Sequence, residues 1–289
     1  ILESLVPGLQ AHIAGTRLPA HVLSVEAEGI EQVKLIDATP IGINVRSTVA
    51  TYANVHDELR KVYAGTADAK KKGRKGDFSY NTGGLRCPAC DGTGQISLDV
   101  QFLPDVDIPC PECHGSRYAK AAYGIKFTNK AGVSRSLPEL MAMDVHTALE
   151  FCKDMKNVRA RLQVLQSLGL GYLTLGEDTP NLSGGEAQRL KLASEMGKAQ
   201  SDSVFVFDEP TVGLHPLDVR TLLGVFRTLI ANGATVVVIE HDLDVIRSAD
   251  YIIDMGPGGG EEGGRIVLSG APSEIAACAD SVTGRYLRG

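Results

Sequence analysis

The sequence contains no apolar run near the ~18 residues that a membrane-spanning helix needs. Its first residues also lack the basic stretch followed by an apolar one that marks an export signal. Both absences argue against a membrane protein, and the expected compartment is the cytoplasm. Positive charge is scarce as well: 29 Lys and Arg stand against 35 Asp and Glu, a formal net charge of −6. A surface coated with nucleic-acid-binding charge is thereby excluded. Residues 46 to 120 reverse the balance, with 11 basic against 9 acidic residues, so any contact to a phosphate backbone is expected in that segment. Cysteine numbers only six, and four of the six fall into two C-x-x-C pairs, for which a disulfide is disfavoured in a reducing cytosol and a redox role by the duplication. What is present is ordinary globular composition, 43% hydrophobic and 22% charged, with length enough for two domains.

The stretch Asn181-Leu182-Ser183-Gly184-Gly185-Glu186-Ala187-Gln188-Arg189 reads as a helix start able to receive a phosphate. Ser183 and Glu186 make a capping box: the Ser side chain takes one free N–H of the first turn, and Glu186 reaches back to another. Gly184 and Gly185 carry no Cβ. A nucleotide phosphate can therefore approach the backbone where the remaining N–H groups and the positive end of the helix dipole face it. A capping box alone is common at ordinary helix starts, and it gains meaning here only from the residues downstream.

Val204-Phe205-Val206-Phe207 is the short apolar run of a strand buried on both faces, and it ends in Asp208-Glu209-Pro210. Acids at the carboxyl end of a strand lie where open α/β sheets bind ligands. Asp208 is placed to hold Mg²⁺, and Glu209 to orient or deprotonate an attacking water. Val219, Leu222, Leu223, Phe226, Leu229 and Ile230 then recur at helical spacing, Asn232-Gly233 ends that helix, and Thr235 to Glu240 forms a second strand. In such a βαβ unit parallel pairing brings His241 beside Asp208 and Glu209, within reach of a γ-phosphate.

In this order, Leu182-Ser183-Gly184-Gly185-Glu186, Asp208-Glu209 and His241 resemble the signature motif, Walker B motif and switch histidine of ABC-type ATPases. The flanks Asp208-Glu209-Pro210-Thr211-Val212-Gly213-Leu214-His215, Ile239-Glu240-His241-Asp242-Leu243-Asp244-Val245-Ile246 and Ala249-Asp250-Tyr251-Ile252-Ile253-Asp254-Met255-Gly256-Pro257 resemble the carboxyl-terminal half of the UvrA family, over nearly the whole chain. That resemblance implies a DNA-damage-recognition ATPase of nucleotide excision repair, using ATP and Mg²⁺, binding damaged double-stranded DNA, working as a homodimer and partnering a UvrB-like protein. A UvrA-like resistance paralogue of the second class, without UvrB contact, fits the same motifs. An ABC transporter ATPase subunit would share Ser183, Glu209 and His241 but has no use for a four-cysteine zinc insertion ahead of the signature. No G-x-x-x-x-G-K-[ST] loop occurs in the sequence, although an ATPase of this kind needs one. In UvrA-like proteins that loop precedes the region resembling Ile1 to Leu9, so the chain is expected to be an excerpt beginning just beyond it, and inactive by itself. Ala38 stands where the family's Q-loop Gln would align, which removes a side-chain ligand there.

Cys87-Pro88-Ala89-Cys90 and Cys110-Pro111-Glu112-Cys113 have the spacing of a four-cysteine Zn²⁺ site, structural because four thiolates close the coordination. His114 is then a bystander, and Cys152 and Cys278 are single buried thiols. Ile96, Leu98, Val100 and Phe102 alternate as one face of a strand, with a turn at Pro104-Asp105 into Val106 and Ile108, so a zinc-clasped β-hairpin is expected. Lys70, Lys71, Lys72, Arg74, Lys75 and Arg86, interleaved with Phe78 and Tyr80, are the candidate contacts to DNA phosphates.

Elsewhere the pattern predicts a helix ending at Pro7-Gly8, a strand within Gly29 to Asp37, an amphipathic helix over Asn54 to Tyr63, and helices over Ser136 to Met155 and Val158 to Leu168. A glycine-rich loop is expected over Gly256 to Gly264, between strands Tyr251 to Asp254 and Arg265 to Ser269, and a closing helix over Ala271 to Ala277. The fold class is α/β: an ABC-type ATPase core with a mostly parallel sheet, interrupted by a helical signature and insertion domain carrying the zinc hairpin. The expected division is 1–45 and 201–289 for the ATP-binding domain and 46–200 for the insertion, with the zinc module at 87–113.

Overall fold

The computed structural model describes residues 1–42, 44–71, 77–98, 106–196, 200–256, 258 and 263–288. It divides into two compact units, one formed by Ile1–Asp37 with Ala199–Gly289 and the other by Ala38–Lys198.

The first unit is built on a three-stranded parallel sheet in the order Gln32–Ile36, Ser203–Asp208, Thr235–Ile239. The central strand is apolar from Val204 to Phe207 because both of its faces are covered; Ser203 to Phe207 are all buried. On one face Val204 and Val206 pack with Val6 of the helix Leu5–Ala14 and with the half-buried Val33, Leu35, Val237 and Ile239. On the other, Phe205 and Phe207 lie nearly parallel at 6.3 Å, and Phe207 meets Phe226 of the crossover helix Pro216–Ala231 at 4.7 Å. That helix buries Val219, Leu222, Val225, Phe226 and Leu229, while Ile230, expected on the same face, is exposed. Ile252–Gly256 and Arg265–Gly270 form an antiparallel pair, followed by the helix Pro272–Ala277 and a further short helix, Val282–Leu287. Most of the predicted glycine-rich loop lies outside the described residues.

One expectation at the amino terminus is corrected. Pro7-Gly8 does not stop a helix; it lies inside Leu5–Ala14, which ends at Gly15. Pro7 occupies the first turn, where a backbone N–H has no helical acceptor and the ring costs nothing, and the Gly8 N–H donates to the Ser4 carbonyl at 2.9 Å.

The second unit is mainly helical, with two small antiparallel hairpins, Gln95–Leu98 with Val106–Pro109 and Lys126–Thr128 with Ser134–Ser136. The expected helix over Asn54 to Tyr63 is present as Val55–Ala64, with Val55, Leu59 and Tyr63 buried. The region from Ser136 to Met155 is two helices rather than one, Leu137–Met141 and Val145–Phe151. Asp144 interrupts it by capping the second: its carboxylate accepts from the Thr147 N–H and hydroxyl, both at 2.7 Å. The apolar spacing runs through the break because both pieces face one core.

Phe78 and Tyr80, which the sequence places among the candidate phosphate-contacting cations, belong to that core and are fully enclosed, so they form no part of a nucleic-acid surface. Tyr80 packs on His56 at 4.8 Å and edge-on to Tyr118 at 5.9 Å, and its hydroxyl meets Thr48 Oγ1 at 3.0 Å. Cys152 is buried as expected, and burial pushes its thiol up to about 12. Cys278 is only half-buried, because it sits at the end of the short helix Pro272–Ala277 at the unit's surface.

Candidate functional site

The signature helix runs Gly184–Glu195 in the second unit, with Ser183 as its extended cap residue. The capping box is complete. Ser183 Oγ accepts from the Glu186 N–H at 3.4 Å, and Glu186 Oε2 accepts from the Ser183 N–H at 2.7 Å and its hydroxyl at 2.8 Å. The Tyr172 hydroxyl donates to Glu186 Oε1 at 2.5 Å. Burial opposes ionisation of Glu186, yet these bonds and nearby Arg189 outweigh it and hold the carboxyl below its ordinary pKa. Ser183 and Gly184 stay exposed, so the helix start is open to solvent. Gly184 also has a second reason to lack a side chain: a Cβ there would lie 3.1 Å from both the Cβ and the carbonyl oxygen of Ala38. Next to Ala38, Thr39 Oγ1 accepts from Lys191 Nζ at 2.7 Å, which ties the 38–39 segment to the same helix.

In the first unit, Asp208 is the last residue of the central strand and pairs in register with Ile239. Glu209 comes next at φ +45°, a left-handed conformation that few acidic residues adopt, stabilised by its N–H donating to the Ile239 carbonyl at 3.0 Å. This turn lifts its side chain out of the strand end, 54% exposed, with Oε1 3.9 Å from His241 Nδ1. Parallel pairing thus brings Asp208, Glu209 and His241 to one edge, as the βαβ reading requires.

Sequence reasoning missed Glu240, read only as the end of a strand. Its carboxylate is 2% exposed and accepts from the Thr211 N–H and hydroxyl at 2.9 and 2.5 Å and from the N–H groups of His241 and Asp242 at 2.8 and 3.0 Å. Burial alone would raise its pKa; the four donors outweigh that and hold it below the ordinary range. The available signal was a charge placed directly after four apolar strand residues, Val236 to Ile239.

The four zinc-motif cysteines converge, with all sulfurs within 4.8 Å of one another. Cys87 and Cys110 are 3.9 Å apart and Cys90 and Cys113 3.7 Å. A tetrahedron with Zn–S bonds of about 2.3 Å has edges of about 3.8 Å, so the geometry fits Zn²⁺ and is far too open for a disulfide. The two knuckles repeat each other in backbone as in sequence: Asp91 and His114 both have positive φ, each followed by a glycine at positive φ, Gly92 and Gly115. At Gly92 nothing larger fits, since a Cβ would stand 1.8 Å from the Tyr80 carbonyl oxygen. His114 is exposed and outside the sulfur cluster.

Of the candidate DNA contacts, Lys70 and Lys71 are exposed at the end of the helix Ala67–Lys71. Lys72, Arg74 and Lys75 lie outside the described residues. Arg86 is engaged within the first knuckle, where its Nε lies 3.0 Å from Asp91 Oδ1 and its Nη1 donates to the Asn81 carbonyl at 2.9 Å. Asp91 also pairs with Arg46 at 3.1 Å.

Also missed was Arg117, four residues past Cys113. It is 3% exposed, ion-paired with Asp178, donates to the Val45 carbonyl at 2.8 Å and the Gly92 carbonyl at 3.4 Å, and lies 5.1 Å over the Tyr80 ring. Asp178 opens the turn Thr179–Asn181 that leads into Ser183. One guanidinium therefore joins the metal knuckles to the approach of the signature helix.

Among the described residues no helix is long and apolar enough to cross a membrane. No family model matches the sequence. UvrABC system protein A of Lactococcus lactis is 48% identical over 263 residues, which take in 90% of this chain and 27% of the relative. The Bacillus subtilis protein of the same name is 45% identical over 279 residues, 96% of this chain and 29% of the relative. The crystal structure of UvrA2 from Deinococcus radiodurans superposes with a TM-score of 0.84 at 40% identity, covering 97% of this chain and 34% of that one. The chain spans less than a third of the length of these curated relatives. Over the part that it spans, the chain belongs to the UvrA family.

Proposed function

We propose that this chain is part of the carboxyl-terminal half of a DNA-damage-recognition ATPase of nucleotide excision repair. The carrying observation is that strand pairing sets Asp208, Glu209 and His241 at one sheet edge, in a chain that also holds a four-sulfur site and a capped, solvent-open signature helix. Asp208 would hold Mg²⁺, Glu209 would orient the attacking water and accept its proton, and His241 would contact the γ-phosphate. Bound Mg²⁺ supplies charge neutralisation at the phosphates. Ser183, Gly184 and Gly185, with Glu186 holding the helix start in shape, would complete a nucleotide whose other contacts come from a different nucleotide-binding half. Zn²⁺ on Cys87, Cys90, Cys110 and Cys113 would be structural.

Damaged duplex DNA as substrate, a UvrB-like protein as partner, a homodimeric assembly and a cytoplasmic location belong to the same proposal, which rests on the likeness to the UvrABC proteins. The test is Glu209→Gln in the full-length protein. Removing the water-orienting base while keeping Asp208 should leave ATP binding largely intact and slow hydrolysis at that site. Unchanged turnover at every ATP concentration would refute the assignment.

A further inference from the structure

A strand in this sheet has no general need for a buried charge at its end; the five residues before Glu240 are apolar or Thr. Glu240 nonetheless buries a carboxylate, and its bonds run to two places. Oε1 takes both donors of Thr211, on the loop that leaves Glu209, and Oε2 takes the backbone N–H groups of His241 and Asp242. Each oxygen thus has two donors, an arrangement that only a carboxylate satisfies, because an amide would set its own NH₂ against two of them. The Glu209 N–H is fixed to the Ile239 carbonyl one residue before Glu240. Glu209 and His241 are therefore held from the same two-residue strand end, while their own side chains stay exposed, with Glu209 Oε1 3.9 Å and Glu240 Oε2 4.0 Å from His241 Nδ1, both beyond hydrogen-bond length.

We propose that Glu240 is a positioning residue that fixes the distance between Glu209 and His241 by fastening the Thr211 loop to the His241 backbone. The inference rests on the ATPase reading of this edge. Glu240 itself touches no reacting atom; it sets where the two groups stand when a phosphate lies between them. Thr211 is its second half, supplying two of the four donors across 29 residues of sequence.

The experiment uses the full-length protein and four variants: Glu209→Gln, Glu240→Gln, Thr211→Val and Thr211→Ser. Hydrolysis is followed over a range of ATP concentrations, and affinity is measured by direct titration with a fluorescent ATP analogue. Loss of charged hydrogen bonds at a site felt only in the transition state should lower kcat by roughly 10- to 100-fold in Glu240→Gln, with analogue affinity within about threefold of the parent. Thr211→Val should lower kcat less, and Thr211→Ser, which keeps the hydroxyl, should restore most of it. Parent-like kcat in both Glu240→Gln and Thr211→Val, with Glu209→Gln slow, would overturn the positioning role and leave the ATPase reading standing. Equal loss of kcat and analogue affinity would also overturn it, since that marks general disruption of the site. If Glu209→Gln hydrolyses ATP like the parent, the ATPase reading itself fails, and this inference with it. Should Glu240→Gln not fold, the Thr211 pair decides: equal rates in Val and Ser variants count against the proposal.

Discussion

Removing Arg117 or Asp178 should loosen the approach to the signature helix, and the two removals should differ in a defined order. Arg117→Met keeps the volume but leaves Asp178 without its cation and the Val45 and Gly92 carbonyls without a donor. Breaking a buried pair from one side costs about 3–5 kcal/mol. Asp178 is a quarter exposed and can rehydrate or take a proton, so the lower end, about 3 kcal/mol, applies to Arg117→Met. Asp178→Ala strands a guanidinium that is 3% exposed and cannot lose its charge, so it should cost more, towards 5 kcal/mol. The double variant should cost less than the sum of the two. The assay is amide hydrogen exchange in the full-length protein at Cys87, whose N–H donates to the Arg117 carbonyl, and at Val49 and Thr179, which donate to Glu177 and Ser47. A loss of about 3 kcal/mol is roughly two powers of ten in the opening constant. Exchange within tenfold of the parent in both single variants, or a larger effect of Arg117→Met than of Asp178→Ala, would refute the reasoning.

Three further outcomes are expected. Metal analysis of protein purified under reducing conditions should find one Zn²⁺ at the four cysteines for each copy of this segment, and Cys110→Ser should lose it; absence of zinc in the parent would refute the site. Neutralising Lys70, Lys71, Lys72, Arg74 and Lys75 together should weaken duplex binding across sequences and flatten its salt dependence by up to about 0.9 per lost phosphate contact, whereas Arg86→Gln should act mainly on the fold of the knuckle; an unchanged salt slope in the lysine variant would assign the run to solvent. His56, whose imidazole is lowered to about 4 by burial first and then by Arg60, should make stability fall with acid. Between pH 6.5 and 4 the unfolded chain takes up a proton that the folded one refuses. Stability is therefore full above 6.5 and drops by about 3 kcal/mol towards pH 4. His56→Gln should flatten that limb of a pH series of denaturation curves, and an unaltered limb would count against the assignment.

The sequence makes legible whatever is local. Apolar runs give Ser203–Asp208, buried from Ser203 to Phe207, and the half-buried Thr235–Ile239 beside it, because strands covered by packing favour apolar side chains. The capping box lies within four residues, and each zinc knuckle within a few more. What stayed hidden is long-range. Nothing near Arg117 announces Asp178, 61 residues later, nor does Glu240 announce Thr211. Phe78 and Tyr80 show the same limit: in sequence they are interleaved with the candidate phosphate-contacting cations, yet their rings close the core with Tyr63, His56 and Tyr118.

The two long-range anchors share one physical logic. Each motif offers its chemistry on exposed groups: Ser183 and Gly184 at a helix start, Glu209 and His241 at a strand end. Exposed side chains have little packing to hold them, and a left-handed Glu209 in particular needs its surroundings to fix it. In both places the fixing is done by a buried charge just outside the motif, Arg117 with Asp178 before the signature helix and Glu240 before His241. Apolar packing there would be as stable or more so, but it could slide. A carboxylate with four donors, or a guanidinium with a carboxylate and two carbonyls, has one geometry. Substitutions at these positions should therefore change the register of the exposed groups before they unfold the units, and that is why rates and local exchange, rather than melting temperature, are the observables on which they are to be judged.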